Sequence, residues 1–508
     1  MKKSVITAIL AIVAFAQGIC QAQVEFSNPI IPGFHPDPSI CRVGDDYYIV
    51  NSTFQYFPGV PIYHSRDLAN WHQIGNVLNR ESQLQLGTSS SWDGIYAPTI
   101  RYNDGVFYMV TTNLSGRGNF FVTATNPAGP WSEPIWLKQG GIDPSFYFEN
   151  GRCYMVSNPG NKIVLCEIDP KTGEQLTPSR AIWGGTGGRY PEGPHIYRKD
   201  GYYYLLISEG GTEIAHGLTI ARSRNIEGPY ESNPANPILT HCSVKAQYSH
   251  IQGTGHGDLI QSTDGRWWVV FLAYRNYSGV HHLGRETFIA PVEWKDGGWP
   301  VVNGGKPIEE HFKCAALPES ASMAPMFPAR SKNALGCEWI YIQNPIEDNY
   351  KVMGDNTIRL TAAGTLDANN KPTFVGRRQE AVKTSFGTTV DCASLGKGSR
   401  AGITVYQIRD GHAEVYCEGK DVVARMRLKS LDVELGRIKG VARGGKVEIR
   451  VDADESRYHF MCKTAKGWQE VGSVECSLLS TEVAGGFTGV ILGLYAEGSG
   501  TAVFELPE

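Results

Sequence analysis

From about Val24 to Glu310, short apolar runs alternate with clusters of Gly, Pro, Asn and Asp. This is the pattern of β-strands joined by tight turns. Five of these runs open on a similar tetrapeptide: Asp37-Pro38-Ser39-Ile40, Ala97-Pro98-Thr99-Ile100, Asp143-Pro144-Ser145-Phe146, Gly193-Pro194-His195-Ile196 and, more loosely, His256-Gly257-Asp258-Leu259. A turn residue follows in each (Asp45, Gly105, Gly151, Gly201 and Gly265), and then an aromatic-rich strand such as Tyr47-Tyr48-Ile49-Val50 or Trp267-Trp268-Val269-Val270. Further strands complete each unit, for example Gly59–His64 and Asn119–Ala124, and an aromatic (Trp71, Trp131, Tyr230, Trp299) stands near the end of most units. Repetition at this period predicts a five-bladed β-propeller in an all-β chain. No segment of this half carries a helical apolar stripe.

Between Pro307 and Gly336 the periodicity lapses, with Pro318, Pro325 and Pro328 in the gap. Strands then resume at Thr357–Thr361, Glu380–Phe386, Ala401–Tyr406, Lys446–Val451 and Val490–Tyr495, without the earlier repeat. Their spacing fits a β-sandwich. The predicted division is therefore a leader at 1–22, a propeller at 24–310, a linker at 311–335 and a sandwich at 336–508.

With 508 residues, two domains are expected. Hydrophobic residues make up 41% and charged residues 19%, which argues against disorder. A formal net charge of −4 without basic runs recruits no nucleic acid. Lys2-Lys3, an apolar run from Val5 to Phe15 and small residues ending at Ala22 read as a secretory signal peptide, too short to span a bilayer. The mature protein is expected to be exported, periplasmic or extracellular, without a membrane span. None of the cysteines forms a C-x-x-C pair, so a zinc site is not expected.

Equivalent positions of propeller blades face one axis, so Asp37 and Asp143 should meet there, with Glu192 one residue before the equivalent position of the fourth repeat. A lone Asp before Pro is ordinarily a turn-former. Three carboxylates on one axis repel one another, which raises at least one pKa and creates a proton donor. An acid and an ionised partner are the requirement for splitting a glycosidic bond.

Asn28–Ile40, Ser52-Thr53-Phe54, Phe57–Val60, Gly141–Ser145, Glu192–His195, Gly255–Asp258 and Leu283–Phe288 together resemble glycoside hydrolase family 43 over the whole first domain. Phe374–Gln379 resembles part of the lectin-like sandwich of that family's β-xylosidases. The resemblance implies that Asp37 is the general base, Glu192 the general acid, and Asp143 the residue that raises and orients the acid. It implies inversion, with base and acid roughly 6.5–9.5 Å apart. It places Arg285 on the bound sugar, where the plain alternative is an ion pair with Glu286, and Phe54 and Tyr96 on the pocket's aromatic wall. Family β-xylosidases commonly carry Trp where Tyr96 stands. Thr212 is a further candidate for the pocket lining, with a turn role as its alternative. Some relatives hold a calcium ion or an ordered water through a histidine at the position of His256, which makes His256 a candidate ligand for calcium on the axis; no cofactor is required. An aromatic from the second domain closes the pocket in such relatives, and Phe504 is the candidate here. The function implied is release of xylose from xylan-derived oligosaccharides. The alternatives are an α-L-arabinofuranosidase acting on arabinoxylan or arabinan, and a non-catalytic glycan-binding propeller.

Overall fold

The structure is a computed structural model that describes residues 23–242, 249–317 and 334–507, apart from 355, 369 and 443. The predicted leader at 1–22 and most of the predicted linker (318–333) lie outside the described residues.

The first part consists of antiparallel sheets built as successive meanders. Their first strands are Ser39–Val43, Thr99–Asn103, Ile142–Glu149, Glu192–Lys199 and Ile251–Gln261. Each first strand contacts the first strand of the next sheet, and the fifth returns to the first. Apolar clusters fill the space between neighbouring sheets. Ile62, Ile100 and Met109 join the first to the second, and Tyr108, Phe121 and Met155 the second to the third. Val156, Ile196 and Leu205 join the third to the fourth, and Leu206, Ile220 and Phe271 the fourth to the fifth. Ile49, Trp268 and Ile289 then bring the fifth back to the first. The strand Gln23–Ser27 pairs with His311–Ala315, so the segment predicted as linker begins in a strand.

The hairpin turns follow residue chemistry. Asp104-Gly105, Asn150-Gly151 and Asp200-Gly201 all have positive φ at both residues, as the favoured two-residue hairpin turn requires. In the first repeat the left-handed residue is Gly44 (φ 62), one before the predicted Asp45.

The second part is a two-layered sandwich of a seven-stranded and a six-stranded antiparallel sheet. Ile358, Val390, Ile403, Val415, Ile449 and Phe504 are in the core between them. The strand predicted at 357–361 is present with those bounds, those at 401–406 and 446–451 lie within Arg400–Ile408 and Lys446–Ala453, and that at 490–495 runs Ile491–Glu497. The strand predicted at 380–386 instead runs Thr384–Asp391. The reason is a close approach: a Cβ on Gly33 would lie 2.6 Å from the carbonyl oxygen of Gln379, so the chain there is held against the first part. The other face of the six-stranded sheet docks on that first part. Tyr406, Tyr416 and Tyr495 share a cluster with Phe34, Phe54 and Tyr56, and Tyr341–Ile342 pairs with Tyr56–Phe57.

Among the described residues there is no α-helix, and no helix is long and apolar enough to cross a membrane. Among the described residues Cys41, Cys153, Cys166, Cys417, Cys462 and Cys476 are buried thiols outside any disulfide.

Candidate active site

The repeated strand openings share a backbone device. Asp37 (φ 53), Asp143 (φ 55), Gly193 (φ 61) and His256 (φ 42) are all left-handed. In the third, fourth and fifth sheets the pairing register slips at this point, between Ile142 and Ser145, Glu192 and His195, and Gly255 and Asp258. Such bulges re-aim side chains. Left-handed non-glycine residues cost of order 1–3 kcal/mol each and persist where the surroundings over-determine them. Asp is among the residues that tolerate the conformation best.

The result is one cavity of about 390 Å³, lined by Asp37, Ala97, Asp143, Glu192 and His256 from the repeats. Phe54, Tyr96, Thr212 and Arg285 line it as well, so all eight predicted site residues converge on a single hollow. The volume is that of a small-molecule site.

The carboxylates sit in contrasting fields. Burial pushes the Asp37 carboxyl up, but Arg285, His256 and a short hydrogen bond donated by Ser52 Oγ outweigh it and hold Asp37 below its ordinary range. Arg285 Nη1 lies 3.0 Å from Asp37 Oδ1. Burial and the neighbouring charges of Asp143 and Asp37 push Glu192 well above the ordinary carboxyl range. Asp143 is also raised, chiefly by burial and to a smaller degree by Asp37, while His256 and the Gly193 N–H, which donates to its Oδ2 at 3.0 Å, pull it back. An ionised carboxylate and a protonated one thus share a site, the electrostatic separation that acid–base chemistry needs.

Arg285 does not pair with Glu286. Its Nη1 donates to Asp37 and its Nη2 to the Phe487 carbonyl at 3.1 Å, whereas Glu286 accepts from Arg275 and from the Gly33 N–H. The aromatic wall is larger than predicted. Phe54 lies 5.3 Å from Tyr96 and 5.6 Å from Phe487, ring centroid to centroid. Trp92 stands edge-on to Phe487 at 4.9 Å, and its carbonyl accepts from the Tyr96 hydroxyl at 2.6 Å.

Phe487 corrects the expectation placed on Phe504. Phe504 is fully buried in the sandwich core, paired with Ile358 and Val390. Phe487 instead reaches the cavity from a loop of the second part, its N–H donating to the Ser91 carbonyl at 2.9 Å. Gly485 and Gly486, both left-handed, precede it, and a Cβ on Gly486 would meet Ser91 Oγ at 2.7 Å. That glycine pair before an aromatic was the available sequence signal. Trp92, Tyr190 and Glu213 also line the cavity and were not singled out; they come from loops outside the repeat, where no equivalent position marks them.

Beneath the carboxylates the third residues of the tetrapeptides form a second polar layer. Asp258 accepts from Ser39 Oγ (2.7 Å), Arg101 Nη1 (2.7 Å) and the Tyr197 hydroxyl (2.6 Å). His195 Nδ1 lies 2.9 Å from both Arg101 Nη2 and Ser145 Oγ. Arg101 is the cation of this layer.

His256 is buried with its ring over Gly193, and its Nδ1 is 3.9 Å from Asp37 Oδ1. Among the described residues no group of three or more His, Cys, Asp or Glu could hold a metal ion. Calcium takes about six to eight oxygens, which these side chains do not by themselves supply.

Residues 26–300 match the profile of Glycosyl hydrolases family 43, and residues 331–505 that of the Beta xylosidase C-terminal Concanavalin A-like domain. A non-reducing end alpha-L-arabinofuranosidase of Bacteroides ovatus is 39% identical over 99% of this chain and 97% of its own length. A xylosidase/arabinosidase of Butyrivibrio fibrisolvens is 38% identical over 93% of this chain and 96% of its own. Among solved structures, the Bacteroides ovatus xyloglucan PUL GH43B superposes with a TM-score of 0.89 at 38% identity, covering 95% of this chain and 99% of that one.

Proposed function

We propose that this chain, which belongs to glycosyl hydrolases family 43, is an inverting β-xylosidase that releases xylose from the ends of xylan-derived oligosaccharides. The observation that carries this is the pairing, in one cavity, of an Asp37 held ionised with a Glu192 held protonated. Asp37 takes a proton from water as that water attacks the anomeric carbon, and Arg285 and Ser52 keep the base charged. Glu192 delivers its proton to the leaving oxygen from the other side. Asp143, whose Oδ2 accepts from the backbone N–H of the residue after Glu192, keeps the acid's pKa high. Phe54, Tyr96 and Thr212 border the sugar, and Phe487 walls one side of the cavity. A walled pocket suits removal of single terminal units.

The supporting architecture is a five-bladed propeller at 24–310 joined to a sandwich at 336–508. The cyclic contact of the five sheets and the limits of the two profile matches favour this division. Export remains the reading of residues 1–22.

The second reading is an α-L-arabinofuranosidase. It is favoured by the similarity to the Bacteroides ovatus protein, whose description names that activity. Initial rates on aryl β-xyloside and aryl α-L-arabinofuranoside separate the two; absence of xyloside turnover rejects the first. Asp37→Asn and Glu192→Gln should each lose about 10²–10⁴-fold in kcat while keeping the fold. Full activity in either variant rejects the assignment of base or acid and revives a purely glycan-binding propeller.

A further inference from the structure

We propose that His216 is a positioning residue for the general acid, holding the Glu192 carboxyl from behind the cavity wall. This rests on the reading of Glu192 as the acid. His216 immediately precedes the strand Gly217–Ser223, and none of its surface is exposed. It does not line the cavity that Glu192 lines. Its Nε2 nevertheless lies 3.9 Å from Glu192 Oε1, so it approaches the carboxyl from the protein side. Among the described residues neither of its ring nitrogens makes a well-formed hydrogen bond, although the Gly253 backbone lies close enough to act on the ring. Nor does any described residue hydrogen-bond the Glu192 carboxyl.

A buried imidazole without a close partner, set behind a carboxyl that lines the cavity, is costly and persists where that pairing is needed. Hydrogen bonds between catalytic groups are often long in the substrate-free state and tighten with substrate bound. Closing this gap takes a movement of about 1 Å, to the ordinary N–H···O distance. The chain also makes room for the imidazole. A Cβ on Gly255 would lie 2.4 Å from the His216 Nδ1 and Cε1 atoms, and Gly255 is not left-handed, so glycine is required there for space.

The chemistry favours this residue type. The groups facing Glu192 are Asp143, Asp37 and Arg285. Those facing His216 are His256, Arg285, Asp37 and the Gly253 backbone. Burial, with the charges of His256 and Arg285, lowers the His216 pKa to about 3, so the ring is neutral. A fixed cation there would strip the acid of its proton, and an aliphatic side chain would leave the buried carboxylate without a donor once the proton is given up. A neutral N–H can serve both forms. It accommodates the carbonyl oxygen of the protonated acid and hydrogen-bonds the carboxylate afterwards. Anchoring Oε1 in this way leaves Oε2 to carry the proton toward the leaving oxygen.

The test is leaving-group dependence, which a merely structural role does not move. Proton donation matters for an unactivated disaccharide and little for a 2,4-dinitrophenyl glycoside of the same sugar. For His216→Phe, kcat/KM on the disaccharide should fall about 30-fold, a part of the roughly 10²–10⁴-fold that a general acid contributes, and on the dinitrophenyl glycoside by less than about threefold. His216→Asn, which restores an N–H donor, should recover much of the loss. Equal losses on both substrates, or no loss on either, overturn the proposal. If His216→Phe does not fold, Gly255→Ala, which forces the ring off its position, is read by the same criterion. Glu192→Gln is the control. If it too loses activity equally on both substrates, the acid assignment falls; if it shows the dependence and the His216 and Gly255 variants do not, only the present inference falls.

Discussion

Replacing Arg285 with Gln tests two roles proposed for the guanidinium, binding the sugar and keeping the base ionised. Its Nη1 is 3.0 Å from Asp37 Oδ1, and both side chains are almost fully buried. At an effective dielectric of about 20 this contact is worth about 5.5 kcal/mol, or about four pKa units as a ceiling. Ser52 and His256 still favour the charged form in the variant, and water entering beside the shorter Gln side chain offsets part of the loss. A net rise of about one to three units in the Asp37 pKa is therefore expected. The sign follows from the cycle, because the base must be ionised. The acidic limb of kcat/KM against pH should move up by that amount, while the basic limb, set by Glu192, rises slightly as the cation that lowers the acid's pKa is removed. In the wild type the depressed Asp37 pKa adds stability above the unfolded-state value, lost as pH falls through the folded one. In the variant that depression shrinks, so this contribution to stability at neutral pH falls. The assay is kcat/KM of an aryl glycoside from pH 4 to 9, with Arg285→Lys as the charge-retaining control. A uniformly lowered profile with an unmoved acidic limb would refute the reasoning and leave Arg285 as a sugar ligand alone.

Phe487→Ala removes a ring packed against Phe54 and Trp92 while leaving the carboxylates in place. With each aromatic pair worth about 0.5–1.5 kcal/mol, KM should rise about tenfold and kcat change little; an unchanged KM in steady-state kinetics would show that the second domain contributes nothing to binding. Asp258→Asn strips the part-buried Arg101 of its fully buried carboxylate partner. A loss of about 3–5 kcal/mol is expected from urea denaturation midpoints, and a variant as stable as wild type would contradict the importance of this layer.

The site was legible because repetition marks position. Residues at or beside equivalent points of five repeats were expected on one axis, and Asp37, Ala97, Asp143, Glu192 and His256 do line one cavity. What escaped lies outside the repeat. Trp92 and Tyr190 belong to connecting loops, and Phe487 comes from a loop some 450 residues from Asp37 in sequence, with only a glycine pair to mark it. In the second part, strands Gly411–Glu418 and Asp421–Leu428 were missed for a physical reason. The six-stranded sheet is covered on both faces, so the half-buried alternation that betrays a strand is absent. Polar residues there are also buried. Glu414 is fully buried and neutralised by Arg425 at 2.9 Å, with His412 at 3.1 Å, which reads in sequence as an exposed segment.

The displacement of the acid by one residue in the fourth repeat has a local cause. Gly193 occupies the left-handed position that Asp37 and Asp143 occupy elsewhere. A Cβ at 193 would stand 3.1 Å from the His256 ring, so the fifth repeat's histidine already fills the space a side chain would need. The Gly193 N–H is meanwhile committed to Asp143 Oδ2. A carboxylate at 193 would have to push the ring aside and bring its charge against the acceptor that its own N–H supports. Moving the acid to 192 avoids both conflicts. The backbone at 193 then stabilises the charged form of Asp143, and that charge in turn raises the neighbouring Glu192. One glycine therefore sets the backbone turn, the room for His256 and the donor that keeps the two neighbouring carboxyls in different protonation states.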